Sequence, residues 1–396
     1  MQNTSDRAIK IHTQFQGKLE VQSLVPIENA DDLSLAYTPG VGAVSRVIAE
    51  DKTQVKNLTL AGRTVAIISD GSAVLGLGNI GPEAALPVME GKALLLKQFA
   101  GLDAFPLVIT ATEASDIVRF VKQVSPTFFA INLEDITAPK CFEVEEALQD
   151  IGIPVFHDDQ HGTAIVVAAA LLNAAKAVGK NYADLKVGIV GAGAAGLAIA
   201  KMLLGANCRA SSCSIVESLP RVSDVVVFDR QGALYRGRKG MNVYKQAVAG
   251  ISNREHSIGQ PEEVLSGFDV VIGVSGPGSI TKKIVSGLAE DSIVFAMANP
   301  DPEIMPEDAL AAGATVVATG RSDFGNQINN VLAFPAIFKI AHELQLPRIT
   351  MEVKVALMKS LAELVESPTP EEVIVSPFYP NLVEILVEKT KQKIAH

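Results

Sequence analysis

The chain has 396 residues, 48% of them hydrophobic and 20% charged, with a net charge of -10. This is enough apolar material for two or three packed domains, and an acidic chain with no basic stretch excludes nucleic acid as the expected partner, because neutralising phosphates takes clustered Lys and Arg. The start, MQNTSDRAIKIHTQ, lacks the apolar core of a signal peptide and residues 164–172 are too short a run to cross a bilayer, so no membrane association and a cytoplasmic location are expected.

In the first part, β-branched runs at 65–69, 107–109, 128–132 and 154–156 alternate with helix-like stretches at roughly 83–100, 113–124 and 140–150. That order implies an α/β fold with a mainly parallel sheet and crossover helices. Three of the strands run almost directly into acids: Asp70, the pair Glu134 and Asp135, and the pair Asp158 and Asp159. In open α/β sheets, ligands sit beyond the carboxyl ends of the strands, so these acids are expected along one edge of a cleft. Carboxylate oxygens are the hard ligands preferred by Mg²⁺ and Mn²⁺.

After Gly162 an Ala-rich segment, 163–178, is apolar on nearly all sides and predicts a buried helix joining two domains, 1–162 and 163–396. A second α/β series follows, with strands at 185–190, 225–228, 270–274, 293–296 and 315–318, each followed within three residues by Gly, Asn or Asp, a Rossmann-like rhythm. A Pro-rich stretch, 367–380, precedes a closing helix, 381–396. The cysteines, Cys141, Cys208 and Cys213, cannot all pair and show no zinc-ribbon spacing, so they are read as packing residues of a reducing interior.

The run KVGIVGAGAAG contains Gly191, Ala192, Gly193, Ala194, Ala195 and Gly196, a G-x-G-x-x-G loop between a strand and a helix. Such a loop lets backbone N–H groups and the helix N-terminus approach a pyrophosphate. Alone it is weak. Asp229, at the end of the next convincing strand, could accept hydrogen bonds from the adenine ribose hydroxyls, but it lies further from the loop than the simple fingerprint, which an insertion around 207–224 would explain.

HDDQH, 157–161, also has the two-histidine spacing of the zinc helix H-E-x-x-H. A strand-like PVF before it and Gly162 after it argue against that helix. Capping of the following helix could explain one of the aspartates, but not four acids at two strand ends.

Eight motifs taken together resemble the malic enzymes, the short bacterial kind: AYTPGV at 36–41, SDGSAVLGLGNIGPEAALPVMEGK at 69–92, NLEDITAPKCFEVE, VFHDDQHGTA, GAGAAG, VVFDRQGALYRGR, MANPDPEI and INNVLAFP. They span nearly the whole chain in the family's order. The resemblance implies oxidative decarboxylation of L-malate to pyruvate and CO₂ with NAD or NADP and a divalent cation, Mg²⁺ or Mn²⁺. It implies Lys92 as the base that takes the C2 hydroxyl proton, paired with Asp158, and such a base needs a lowered pKa. By the same resemblance Tyr37 protonates the enol carbon, and Glu134, Asp135 and Asp159 hold the cation. Asn299, Asn329 and Asn330 match positions holding the substrate carboxylate and the nicotinamide side of the cleft, and a homodimer is expected. One departure stands out: where larger members carry an arginine that grips malate, this chain has Ala73, so Ser72, backbone N–H groups or the asparagines must meet that carboxylate.

For the cofactor the sequence pulls two ways. Asp229 would repel the 2′-phosphate of NADP, whereas Arg230, with Arg236 and Arg238 nearby, could hold it. If successive residues at a strand end face opposite ways, Arg230 turns away when Asp229 faces the ribose, and NAD is preferred. NADP use and a malolactic reaction that keeps the nicotinamide bound remain alternatives. A catalytically silent nucleotide-binding regulator would need neither Lys92 nor the acids.

Overall fold

The computed structural model describes residues 4–209 and 212–395. It opens with an arm of four helices, α1 (Thr4–Phe15), α2 (Ala30–Ala36), α3 (Gly40–Glu50) and α4 (Val55–Leu58). Not one of residues 4–60 is buried, although the arm carries large apolar side chains such as Val21, Leu24 and Leu35, which are 85%, 76% and 76% exposed.

A four-stranded parallel sheet follows, built from β1 (Thr64–Ser69), β2 (Asp103–Val108), β3 (Ala130–Leu133) and β4 (Val155–His157) in the order β2-β1-β3-β4. The crossovers are α5 (Pro82–Leu95), α6 (Ala114–Val124) and α7 (Lys140–Leu148), and all residues of β1, β3 and β4 are buried, as strands covered on both faces must be. The strand expected at 107–109 starts earlier, at Asp103, because Asp103 and Ala104 pair with Thr64 and Val65 at the sheet edge, where a polar residue and Pro106 are tolerated. Leu133 pairs with His157, so the residues that follow them, Glu134 and Asp158, leave the sheet side by side.

Helix α8 (Asp158–Ala177) starts at Asp158, five residues before the expected position, and runs through Gly162. Two aspartates in its first turn suit the helix dipole, and Gly162 is needed inside it because a Cβ there would lie 1.8 Å from Asp158 Oδ1. Most of α8 is buried, as its all-round apolarity predicts.

The second sheet is Rossmann-like. Its six strands, β5 (Lys186–Val190), β8 (Asp224–Asp229), β9 (Gly232–Ala233), β10 (Val270–Gly273), β11 (Ser292–Ala296) and β12 (Ala314–Thr319), lie in the order β12-β11-β10-β5-β8-β9. Between β5 and β8 come α9 (Ala194–Leu203) and a hairpin of β6 (Ala206–Arg209) and β7 (Ser212–Ile215), which accounts for the long spacing to Asp229. In this hairpin Cys208 faces Cys213 with Cα atoms 4.0 Å apart and the two form a disulfide, so only Cys141 is a free, buried packing residue. The reading of all three as packing residues is therefore corrected: the antiparallel pairing of β6 with β7 brings two of them together, and cysteine usage no longer supports a reducing interior. The remaining helices are α10 (Val243–Ala249), α11 (Pro261–Val264), α12 (Lys282–Ser286), α13 (Pro306–Ala311), α14 (Phe334–Glu343), α15 (Met351–Ala362) and α16 (Leu382–Ala395). Among the described residues no helix is long and apolar enough to cross a membrane.

Candidate active site

The parallel register of β1, β3 and β4 delivers Asp70, Glu134, Asp135, Asp158 and Asp159 to one sheet edge, as expected. Ligand oxygens of Glu134, Asp135 and Asp159 lie within 4.8 Å of one another. Glu134 and Asp135 are buried, and Asp135 Oδ2 has no hydrogen-bond partner. Asp135 adopts a left-handed backbone, φ 53°, and its N–H donates to Asp159 Oδ2 at 2.8 Å. Burial first, and then the neighbouring Asp159 charge, push the Asp135 carboxyl up to about 7. Burial likewise raises Glu134. Three hard oxygen donors held this close, with Glu134 and Asp135 raised and one buried oxygen orphaned, fit a divalent cation. His157 and His161 take no part in this group: His157 is buried with neither ring nitrogen bonded, and His161 Nε2 lies 2.6 Å from Glu145 Oε1.

Lys92, late on α5, is no surface lysine. Its ammonium is ion-paired with Asp158, lies 2.8 Å from Glu134 Oε1 and stands 4.6 Å from the Phe334 ring centroid. Burial lowers its pKa, but Asp158, Glu134 and Asp159 together outweigh burial, so Lys92 is held well above the usual lysine value. This corrects the expected lowered pKa: the three carboxylates around Lys92 outweigh its burial. Asn330 Nδ2 donates to Asp158 Oδ2 at 3.0 Å while its Oδ1 accepts from Thr163 Oγ1 at 3.0 Å, so both ends of this amide are already engaged. Asn329 caps the turn after it, accepting from Val331 N–H.

Several contributors escaped the sequence reading. Asn132 Nδ2 donates to Glu134 Oε1 at 2.9 Å, Thr163 positions Asn330, and Lys140 is ion-paired with the buried Asp70. Lys140 and Thr163 both lie inside the motifs NLEDITAPK and VFHDDQHGTA, which was the available clue. Ser72 Oγ donates to Asp70 Oδ1 at 2.6 Å and accepts from Thr137 N–H at 2.9 Å, so the hydroxyl expected as one substitute for the missing arginine is already used to shape the loop. Tyr37 is not brought to the others within this chain: it caps α2 on the arm and is 66% exposed. Asn299 is exposed, with its amide against Gly320.

The glycine loop lies between β5 and α9, beside β10, where the strand order of the second sheet reverses. Gly191, φ 128°, abuts the Val274 carbonyl, and a Cβ on Gly196 would lie 1.8 Å from the Gly191 carbonyl oxygen. A cavity of about 770 Å³ opens there, lined by Gly191, Ala192, Gly193, Asp229, Arg230 and Lys245 among others. Ala194, Ala195 and Gly196 form the first turn of α9. Asp229 is not free: Arg238 grips it at 2.9 Å and 2.5 Å, and Lys245 adds a contact at 2.7 Å. Burial opposes its charge, but these hydrogen bonds hold its pKa down at about 2. Arg230 lines the same cavity, contrary to the alternation argument, because β8 ends at Asp229 and Arg230 already belongs to the turn.

Comparison with known proteins agrees with this geometry. The description "Malic enzyme, N-terminal domain" matches residues 16–149, and "Malic enzyme, NAD binding domain" matches residues 160–395. The chain is 51% identical over 377 residues to the bifunctional malic/malolactic enzyme of Bacillus subtilis, covering 94% of this chain and 88% of that one. It is 46% identical to the NAD-dependent malic enzyme of Geobacillus stearothermophilus, covering 99% and 78%. The crystal structure of the NAD-dependent malic enzyme from Thermotoga maritima superposes with a TM-score of 0.90 at 43% identity, covering 97% and 98% of the two chains. Acid cluster, buried lysine and glycine loop thus occur in a chain matched from end to end, and the protein belongs to the malic enzyme family.

Proposed function

We propose that the chain catalyses the oxidative decarboxylation of L-malate to pyruvate and CO₂, with NAD as cofactor, Mg²⁺ or Mn²⁺ at Glu134, Asp135 and Asp159, and a homodimer as the working unit. The observation that carries this reading is the Lys92–Asp158 ion pair directly beside the three-carboxylate group. A cation held by Glu134, Asp135 and Asp159 would supply Lewis acidity, and a nicotinamide bound at the glycine loop would supply a hydride acceptor. Lys92 takes the C2 hydroxyl proton, and it loses two of the three influences that keep it protonated once the charges of Glu134 and Asp159 are compensated. Asn330 and Thr163 hold Asp158, and Asp158 holds Lys92. Tyr37 returns a proton to the enol carbon. Its exposure, on an arm that buries nothing, supports a second copy as the surface this arm meets, with Asn299 and Asn329 left to orient substrate and nicotinamide.

A second reading, NADP as cofactor, is favoured by Arg230 and Lys245 lining the cavity beside an Asp229 already neutralised by Arg238. One assay separates the readings: malate and Mn²⁺ with NAD or NADP, following reduced cofactor, pyruvate and lactate. Pyruvate with NADH is expected. Lactate without net cofactor reduction would identify malolactic chemistry, and no product with either cofactor would end the enzyme reading.

A further inference from the structure

On the side of α7 and the first turn of α8 away from the catalytic carboxylates, α9, α10 and α15 close around a second cavity of about 410 Å³, lined by Glu145, Gln160, His161, Lys201, Tyr244 and Lys354 among others. Lys354 is 7% exposed, yet its ammonium makes no hydrogen bond or ion pair among the described residues and stands 5.9 Å from the Phe156 ring centroid. Lys201 also lacks an acceptor among the described residues and stands 5.6 Å from the Phe142 ring centroid. The one buried acid, Glu145, is satisfied by other donors, Gln160 Nε2 at 2.9 Å and His161 at 2.6 Å. The remaining acids of the lining, Glu146, Asp150 and Glu352, are exposed and belong to the rim, where Arg348 faces Asp150 at 3.8 Å.

A buried ammonium without an acceptor is unfavourable unless a ligand supplies one. The half-buried Lys201 adds a second ammonium to the same cavity, and the pair calls for an anion with more than one acceptor group. We propose that this cavity binds a small multivalent anion, a phosphate or a dicarboxylate, between Lys201 and Lys354. Burial lowers both lysines, Lys354 to about 8, while the Glu145 charge acts the other way on each, and a bound anion would likewise favour their charged forms. Gln160 and His161 follow Asp158 and Asp159 in the same helical turn, so one turn of α8 serves both this cavity and the catalytic acids.

The test is thermal melting of the full chain at pH 7.5 in chloride, inorganic phosphate or succinate at matched ionic strength. In the wild type, a rise of about 2 °C is expected near ten times Kd. Phosphate alone giving the rise would identify a phosphate site, and succinate alone a dicarboxylate site. Lys354→Met should abolish the rise and Lys201→Met should reduce it. Acetylation of Lys354 by acetic anhydride, read by mass spectrometry in the unaltered protein, should slow several-fold with the effective anion. A rise that survives Lys354→Met, or no protection of Lys354 by either anion, would overturn the proposal.

Discussion

Lys92 is ion-paired with an Asp158 that has no exposed side-chain surface and whose second oxygen has no partner. Removing the lysine therefore does two separable things. Lys92→Met should lower malate oxidation by at least about 10³-fold, within the usual worth of a positioned acid or base, and should cost about 3–5 kcal/mol of stability by stranding a buried charge. Adding Asp158→Asn should restore stability and leave activity lost. Denaturation curves and turnover of both variants check this, and a single variant as stable and active as the wild type would remove Lys92 from the mechanism.

The raised Asp135 carboxyl ties cation binding to pH. Its folded pKa of about 7 lies above the ordinary carboxylate value, so below pH 7 it carries a proton that a cation must displace. The Mn²⁺ dissociation constant measured by calorimetry should rise by up to about tenfold per pH unit between pH 7 and 5 and flatten above pH 8. Asp159→Asn should weaken Mn²⁺ binding sharply at every pH, since a charged ligand becomes neutral. An unchanged titration in that variant would leave Asp159 with helix capping alone.

Cofactor choice turns on which cation in the nucleotide cavity is still available. Arg238 is occupied by Asp229, whereas Arg230 lines the cavity without a carboxylate partner among the described residues and Lys245 is only partly occupied. NAD should give the higher kcat/KM, and Arg230→Ser and Lys245→Ala should reduce kcat/KM for NADP at least about tenfold while changing that for NAD little, as expected for loss of a charge-assisted phosphate contact. An NADP preference that collapses in Arg230→Ser would transfer the choice from Asp229 to Arg230.

Tyr37→Phe should lower the rate by about 10²- to 10⁴-fold. If the exposed arm reaches a second copy, mixing Tyr37→Phe with Lys92→Met chains should recover activity, because one mixed site per dimer would then hold both intact residues. Rate measurements after subunit exchange decide it, and a mixture as inactive as its components would confine Tyr37 to its own chain.

Much of this was legible in the sequence because strand ends and glycine loops are local signals. Glu134, Asp135, Asp158 and Asp159 follow β3 and β4, and parallel pairing alone brings them together. Gly191 and Gly196 are marked by their spacing after a β-branched run, although the Val274 carbonyl that crowds Gly191 comes from the end of β10. What the sequence hid depends on how separate elements pack against one another. The charge state of Lys92 is set by three carboxylates from other elements. The engagement of Asp229 needs Arg238 and Lys245. The Cys208–Cys213 disulfide needs the hairpin register, and the exposure of Tyr37 needs the knowledge that its whole arm finds no core.

Helix α8 carries Asp158 and Asp159 at one end and packs along its length against α9 and α15. The same helix follows β4 without a break, so Asp158 and Asp159 are tied at once to the first sheet and to the helices of the second. Glu134 and Asp135 belong to the first sheet alone. Rotation of one sheet against the other would strain this joint and the three ligands with it, so a bound cation should resist the motion and its residence time should report on it.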